Sequence, residues 1–142
     1  MKKATTTMDA PPERERNPRR RVCVLYAEDD RLTSAAIAPL LTVKGFKVET
    51  AANGQEAPRN LLSHAAAYEF ILTDHAMPLL TGEEWLRRAR EGGFAGRVIV
   101  YAASLPDTLV ARLRELGVER IVNKAESLHT LLDALGEPPG TP

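Results

Sequence analysis

The chain has 142 residues, 44% of them hydrophobic, and its 19 basic and 19 acidic side chains cancel to a formal net charge of zero. This length predicts one globular domain whose core needs no disulfide or metal to hold it together. The only cysteine, Cys23, lies inside an apolar run and is interpreted as a small buried hydrophobe, which excludes disulfide and cysteine–metal functions. No apolar stretch approaches the roughly 18 residues of a membrane-spanning helix, and the polar N-terminus lacks a secretory signal. We therefore expect no membrane span and a cytoplasmic location.

Charge is unevenly distributed along the chain. Residues 1–21 carry seven basic and three acidic side chains, which leaves twelve basic and sixteen acidic side chains for the remainder. With almost nothing apolar to bury, the first part cannot offset the entropy lost on ordering. We predict a disordered basic extension over residues 1–20 and a flexible tail over residues 136–142. For the basic extension, we favour an inert solvated segment over contact with nucleic acid or an acidic partner.

Between these ends, short apolar runs rich in Val and Ile alternate with longer segments of helical period. This alternation predicts stacked βα units and a parallel sheet. The predicted strands are Val22–Ala27, Lys47–Ala52, Phe70–Thr73, Val98–Ala103 and Arg120–Asn123. The predicted helices are Arg31–Lys44, Gly54–Ser63, Glu83–Glu91, Asp107–Leu116 and Leu128–Leu135.

Several residues are typical of helix ends, and two prolines disagree with the helical pattern. Gly45 follows the first helix as a helix-ending glycine. Asn53 with Glu56 three residues later predicts a capping box at the start of the second helix. Pro39 falls inside the first helix and predicts a kink there, because it removes a backbone hydrogen bond. Pro58 lies just beyond the predicted first turn of the second helix and should distort its start.

Acidic side chains follow the first and third strands at the point where each strand ends. Glu28 and Asp29 follow the first strand, and Asp74 follows the third. Because neighbouring parallel strands bring their carboxyl ends to one edge of a sheet, we expect the three carboxylates to converge there. Such a cluster is costly unless a cation sits among the carboxylates, and Mg²⁺ prefers oxygen ligands of this kind. Lys124, at the end of the fifth strand, can supply a second cation.

This arrangement predicts phosphoryl chemistry. Asp74 could attack phosphorus to form an acyl phosphate, which the metal and Lys124 would stabilise. The alternative for any single acid is a helix cap or a solvated loop charge, and we interpret Asp30 as the cap of the first helix.

The acidic run Glu28-Asp29-Asp30, the segment Leu72 to Gly82 and Lys124 together resemble the receiver domain of two-component response regulators, over residues 21–135. The resemblance implies a doubly wound, flavodoxin-like five-stranded parallel sheet of order 2-1-3-4-5. It also implies a stand-alone phosphoprotein of signal transduction that acts on a downstream protein not identified by the sequence. Members often pair through the face of the fourth helix, fifth strand and fifth helix, so a homodimer is consistent with the resemblance.

The resemblance assigns roles to individual residues. Asp74 would accept the phosphoryl group from a histidine kinase or a histidine phosphotransfer protein. Glu28 and Asp29 would hold Mg²⁺ with help from Asp74 and the backbone carbonyl of Ala76, and Lys124 would bind the phosphoryl group. We expect at most self-phosphorylation and autodephosphorylation, because Ala76 occupies the position where an aspartyl-phosphate phosphatase needs its general acid.

Three positions depart from the family pattern and concern switching. Ala102 stands where the family has a Ser or Thr hydroxyl, Ile121 replaces the aromatic switch residue, and Ala125 replaces the proline after the lysine. A cis bond before alanine is costly, so we expect a trans path at that point. Ser104 could substitute for the missing hydroxyl, but we favour a helix-capping or loop-surface role; for Tyr101 we favour packing. These departures support an alternative, a phosphorylation-independent pseudo-receiver that acts as an interaction module.

Other residues suggest no further site. His75 is interpreted as a surface histidine, and Trp85 as an anchor between the third helix and the sheet. Arg87, Arg88 and Arg90 are interpreted as a solvated helix face, because no aromatic residues are interleaved with them and the domain is net acidic. Binding of nucleic acid is therefore not expected.

Overall fold

A computed structural model of the chain describes residues 22–64 and 68–136, and it confirms the predicted α/β architecture. Five parallel strands form one sheet in the order β2-β1-β3-β4-β5. The strands are β1 (Cys23–Ala27), β2 (Lys47–Ala51), β3 (Phe70–Thr73), β4 (Arg97–Ala102) and β5 (Arg120–Asn123). The helices are α1 (Arg31–Val43), α2 (Glu56–His64), α3 (Gly82–Glu91), α4 (Asp107–Glu115) and α5 (Leu128–Leu135). The predicted extension over residues 1–20 and nearly all of the predicted tail lie outside the described residues.

Side chains alternate between the two faces of the sheet and build an apolar cluster on each face. One cluster joins Leu25, Ile71 and Val100 to side chains of α2, α3 and α4. The other joins Tyr26 and Leu72 to side chains of α1 and α5. Helices on both faces bury the central strands β1 and β3 completely, so ligands reach these strands at their carboxyl ends. No helix in the described ranges is long and apolar enough to cross a bilayer.

The second helix begins two residues later than predicted, and this changes the interpretation of Pro58. Because α2 starts at Glu56, Pro58 lies within its first turn, where a backbone N–H has no intrahelical partner to lose. Pro58 therefore removes no hydrogen bond from α2, and the reason for expecting a distortion there no longer applies. In α1, the helix continues past Pro39 to Val43, and the kink there stays a prediction.

The predicted helix ends are confirmed with one change. Gly45, as predicted, adopts a positive φ of 109° after α1, and Gly117 likewise adopts a positive φ of 82° after α4. The Asn53 side chain accepts hydrogen bonds from the backbone of Gln55 and Glu56. The Glu56 carboxylate returns to the N–H of Ala52 rather than to that of Asn53. The cap therefore closes one residue earlier than a standard capping box.

On α3, one interpretation is confirmed and one is wrong. Trp85 is fully buried and anchors α3 to the sheet, where its Nε1 donates to Thr73 Oγ1 over 2.9 Å. Arg90, by contrast, is not part of a solvated face. Its guanidinium donates to four backbone carbonyls, those of Leu116, Phe94, Gly96 and Gly117. These carbonyls belong to the segments that follow α3 and α4, and the branched guanidinium, with five N–H groups, can reach all four of them.

Candidate functional site

The acidic side chains meet at the carboxyl edge of the sheet because backbone hydrogen bonds hold the strand ends in register. The N–H of Asp74 donates to the carbonyl of Ala27 over 2.9 Å, which continues the pairing of β3 with β1. The N–H of Glu28 donates to the carbonyl of Ala51 over 2.9 Å, which continues the pairing of β1 with β2. Each acid is therefore the first residue beyond its strand and still has a fixed backbone.

Lys124 bridges the two buried carboxylates. Its Nζ lies 3.0 Å from Asp74 Oδ2, 3.0 Å from Glu28 Oε1 and 3.2 Å from Glu28 Oε2. Glu28 and Asp74 are only 3% and 5% exposed, so one ammonium group is shared by two carboxylates that water scarcely reaches. Two negative charges facing one positive charge leave room for a further cation.

The carboxylates of Glu28, Asp29 and Asp74 fit a hard divalent cation. One oxygen of each lies within 4.8 Å of the others, and Asp29 is exposed, so the group has an open side. Glu28 Oε1 is buried and accepts no hydrogen bond, although it contacts Lys124. A set of carboxylate oxygens with one open side is suited to Mg²⁺, which keeps several waters. The three predicted acidic residues are thus brought together, while the role of the Ala76 carbonyl stays a prediction.

For both Glu28 and Lys124, burial and the hydrogen bonds between them shift the pKa in opposite directions. Burial raises the pKa of Glu28 to about 7, with the nearby Asp74 adding to the effect and the hydrogen bond from Lys124 opposing it. Burial lowers the pKa of Lys124, but its hydrogen bonds to Glu28 and Asp74 outweigh burial and raise the pKa. Lys124 is therefore a permanent cation, and Glu28 is the member of the pair that titrates near neutral pH.

The loop after β3 is folded tightly against Asp74. His75 N–H donates to Asp74 Oδ1 over 2.7 Å, and the Gly82 N–H donates back to the His75 carbonyl over 2.8 Å. A Cβ on Gly82 would lie 2.5 Å from the Asp74 carbonyl oxygen, so only glycine allows this approach. Thr73 Oγ1 donates to the same carbonyl oxygen over 2.7 Å, and Trp85 in turn donates to that hydroxyl. Asp74 is thereby oriented by the backbone on both sides.

His75 is not the surface residue that we expected. It is half-buried, and its Nδ1 accepts a hydrogen bond from the N–H of Glu83 over 3.3 Å. Burial lowers the pKa of His75. The imidazole therefore helps to fix the start of α3 beside Asp74. Asp30, as predicted, caps α1 by accepting from the Leu32 N–H over 3.1 Å.

The altered positions surround Lys124. The N–H of Lys124 donates to the carbonyl of Ala102 over 2.8 Å, which places the end of β4 beside the site. The Ala102 methyl is 1% exposed and packs in the core, and Ile121 packs against the same cluster. The described residues contain no cis peptide bond, so the step from Lys124 to Ala125 is trans as expected.

Ser104 and Tyr101 behave as expected, with one addition. Ser104 lies in the exposed loop after β4, where its Oγ accepts from Asn123 Nδ2 over 3.0 Å, and α4 has no side-chain cap. Tyr101 is buried in the core, but Lys124 Nζ also lies 5.9 Å from the centre of its ring. Tyr101 therefore both packs beside the sheet and faces the site.

Sequence reasoning missed one residue beneath the carboxylates, Tyr26. This side chain is fully buried, and its hydroxyl lies near Glu28 without forming a hydrogen bond of normal geometry with any described residue. Burial first, then the charge of Glu28 and, least, weak hydrogen bonding to Glu28 raise the pKa of Tyr26, so its hydroxyl keeps its proton. The sequence could have indicated this residue, because Tyr26 lies in an otherwise apolar strand, two residues before Glu28.

Comparison with known proteins gives a consistent result. Residues 24–136 match the family described as the response regulator receiver domain. The transcriptional regulatory protein DltR of Streptococcus agalactiae is 28% identical over 109 residues, which cover 77% of this chain and 48% of that protein. The chain therefore spans about half the length of this relative.

Solved structures share the fold. The N-terminal domain of an uncharacterized protein from Wolinella succinogenes is 30% identical, with a TM-score of 0.74 over 80% of this chain and 90% of that one. A chain of the CheX–CheY–BeF3–Mg²⁺ complex from Borrelia burgdorferi is 25% identical, with a TM-score of 0.75 over 80% of this chain and 86% of that one.

Proposed function

The chain belongs to the receiver domain family of two-component response regulators, and on that premise we propose that it accepts a phosphoryl group on Asp74 in a Mg²⁺-dependent reaction. The observation that carries the proposal is the position of Lys124, whose ammonium group lies 3.0 Å from Asp74 within a cluster of three carboxylates. A nucleophilic carboxylate, a fixed cation and a donor set for a second cation are the parts that phosphoryl transfer to aspartate requires.

The proposed reaction moves a phosphoryl group from a histidine nitrogen to an oxygen of Asp74. A carboxylate oxygen of Asp74 attacks the phosphorus of a phosphohistidine, the P–N bond breaks, and the imidazole leaves with the electron pair and takes up a proton. Lys124 is placed to pair with the charge that accumulates on the phosphoryl oxygens. Glu28, Asp29 and Asp74 would hold Mg²⁺, with the Ala76 carbonyl as a further ligand, and the metal would neutralise the same charge. Water would later hydrolyse the acyl phosphate and return Asp74.

A receiver domain implies a histidine kinase or a histidine phosphotransfer protein as the donor. The Streptococcus relative is named as a transcriptional regulatory protein, and the matched region is about half of it. For this chain we propose output through protein contacts made by the receiver itself. Pairing through the face of α4, β5 and α5, the cytoplasmic location and the absence of multi-turnover activity on external substrates stay predictions.

The test compares the native chain with Asp74→Asn, which keeps the size of the side chain but removes the nucleophile. Both proteins are incubated with a small acyl phosphate and Mg²⁺, and intact masses are recorded under conditions that preserve acyl phosphates. We expect a phosphoryl adduct on the native chain that is absent from Asp74→Asn and is lost when a chelator replaces Mg²⁺. The same adduct on both proteins, or no adduct on either, would refute the proposal.

A second candidate function, the phosphorylation-independent interaction module, is favoured by one observation. Ala102 offers only a methyl group beside Lys124, and that methyl is packed in the core. Phosphorylation of Asp74 would then occur without the hydroxyl that normally draws the following loop inward. Light scattering of the native chain before and after phosphorylation separates the two functions, because a change in oligomeric state on phosphorylation would exclude the second.

A further inference from the structure

Tyr26 is a polar residue in a place where packing alone would select an apolar one. It lies near the end of β1, on the sheet face covered by α1 and α5, and its side chain is 0% exposed. Its hydroxyl makes no hydrogen bond of normal geometry with any described residue, although it lies near Glu28. A buried hydroxyl without a partner destabilises a fold, and such groups in native proteins commonly mark a functional requirement.

A second unsatisfied atom lies beside it. Glu28 Oε1 is buried and accepts no hydrogen bond, and Glu28 follows Tyr26 by two residues, so both side chains leave the strand on the same face. A tyrosine hydroxyl carries its proton at neutral pH, so the Tyr26 hydroxyl is a donor. A donor without a hydrogen bond of normal geometry therefore lies beside a carboxylate oxygen that contacts Lys124.

Lys124 explains why the Tyr26 hydroxyl and the Glu28 carboxylate form no regular hydrogen bond in the unphosphorylated chain. Its ammonium group contacts Oε1 and Oε2 of Glu28 as well as Asp74, so a single cation serves both acids. A phosphoryl group on Asp74 adds negative charge that competes for Lys124, since charge-assisted hydrogen bonds to phosphate oxygens are strong. Glu28 would then remain a buried carboxylate with its neighbouring cation withdrawn.

We propose that Tyr26 is a positioning residue of the metal site, whose hydroxyl donates to Glu28 when Mg²⁺ or the phosphoryl group draws Lys124 away from that carboxylate. The hydrogen bond would fix the orientation of the carboxylate and direct its other oxygen toward Mg²⁺. Tyr26 itself touches neither the phosphoryl group nor the metal. Donors of this kind behind metal ligands orient the ligands and tune metal affinity. This inference rests on the function proposed for Asp74 and the acidic cluster.

The experiment uses the full chain and measures Mg²⁺ affinity by calorimetric titration with magnesium chloride. Tyr26→Phe removes the hydroxyl and keeps the ring. We expect its Mg²⁺ affinity to fall about tenfold. Without Mg²⁺ its unfolding temperature should be unchanged or higher, because the hydroxyl makes no hydrogen bond of normal geometry in that state. A hydroxyl with a merely structural role would lower the unfolding temperature and leave the affinity unchanged.

Tyr68→Phe is the matched control, because Tyr68 lies before β3, at the opposite edge of the sheet, and donates its hydroxyl to Glu49. This variant should keep the native Mg²⁺ affinity. A Tyr26→Phe protein that folds and binds Mg²⁺ within twofold of the native chain would overturn the inference. A native chain that binds no Mg²⁺ would instead refute the function proposed for the acidic cluster.

A second measurement does not depend on the folding of Tyr26→Phe. The chain has three tyrosines, so a change in tyrosine ultraviolet absorption on addition of Mg²⁺ can be assigned by substitution. We expect a difference spectrum in the native chain that persists in Tyr68→Phe and in Tyr101→Phe. Absence of the spectrum in a native chain that binds Mg²⁺, or its loss in Tyr101→Phe, would count against Tyr26.

Discussion

The Nζ of Lys124 lies 3.0 Å from Asp74 Oδ2, a contact between the end of β5 and the end of β3, two strands that are not neighbours in the sheet. β4 separates them, and its last residue, Ala102, is hydrogen-bonded to the backbone of Lys124. The lysine therefore reaches the acid across a residue that offers only a methyl group. This geometry keeps the charge arrangement of a receiver while removing the hydroxyl that would couple it to the next loop.

Replacing Lys124 by methionine should have opposite effects on stability and on metal affinity. Without the ammonium group two buried carboxylates face each other, so the free energy of unfolding in the absence of metal should fall by about 2 kcal/mol. Mg²⁺ would no longer compete with the lysine for Glu28 and Asp74, so its affinity should rise about fivefold. Urea unfolding and calorimetric titration measure the two effects. Lys47→Met is the control, because Lys47 is an exposed lysine of β2. A loss of Mg²⁺ affinity in Lys124→Met would contradict competition between Mg²⁺ and Lys124 for the two carboxylates.

Stability of the metal-free chain should depend on the ionisation of Glu28. Its pKa is raised from an ordinary 4.5 to about 7, so between these values the folded state binds more protons than the unfolded state. The free energy of unfolding should therefore fall as the pH rises through this window, by about 2 kcal/mol between pH 5.5 and 7.5 relative to Glu28→Gln.

His75 makes the comparison with the variant necessary. Its pKa is lowered by burial, so its own contribution to stability rises with pH up to its ordinary value of 6.5, opposite to that of Glu28. Denaturant unfolding of both proteins in the presence of a chelator isolates the Glu28 contribution. Parallel pH profiles for the native chain and Glu28→Gln would show that Glu28 is not the titrating group. Saturating Mg²⁺ should abolish the loss of native stability between pH 5.5 and 7.5, because the metal keeps the Glu28 carboxylate ionised over this range.

Gly82→Ala should disturb Asp74 without touching its side chain. The added Cβ would lie 2.5 Å from the Asp74 carbonyl oxygen and 2.8 Å from the Cα of His75, and both atoms belong to the backbone. We expect a loss of about 2 kcal/mol in the free energy of unfolding and slower phosphorylation. At Gly92 a new Cβ would come no closer than 3.3 Å, to the carbonyl oxygen of Arg88, so Gly92→Ala is the control. Equal effects of the two substitutions would argue against the close approach at Gly82.

Ala102→Thr should restore the missing hydroxyl beside Lys124, and Ala102→Val adds the same volume without it. Because Ala102 is almost fully buried, both variants should lose about 1–2 kcal/mol of stability from overpacking. Hydrogen exchange of the loop after β4 is then measured before and after phosphorylation of Asp74. We expect phosphorylation to protect the loop in Ala102→Thr and to have little effect in the valine variant or the native chain. Strong protection in the native chain would mean that another group, such as Ser104, supplies the hydroxyl.

Local patterns predicted most of the fold because each element has its own signal. Apolar runs of four to six residues, positive-φ glycines after helices and acids after strands are properties of short segments, and all five strands and five helices were found from them. The errors lay at boundaries, where α2 begins at Glu56 instead of Gly54. Pro58 was misjudged for the same reason, since its effect depends on which turn contains it.

Residues whose roles depend on distant partners were predicted less well. Arg90 belongs by period to a polar helix face, but its partners lie 4 to 27 residues away, in turns that the helix pattern does not describe. His75 was misjudged for the same reason, because its contact with Glu83 exists only when the loop folds back on Gly82.

The sequence by itself determined the order of the elements, the acids at two strand ends and the lysine at a third, because residue type and spacing encode them. Only the tertiary structure decided that Lys124 serves Glu28 and Asp74 together and that the Tyr26 hydroxyl lies unsatisfied beneath them. The physical reason is that burial and hydrogen bonding arise between segments far apart in the chain. A buried hydroxyl is costly or useful only in relation to the groups that packing places around it.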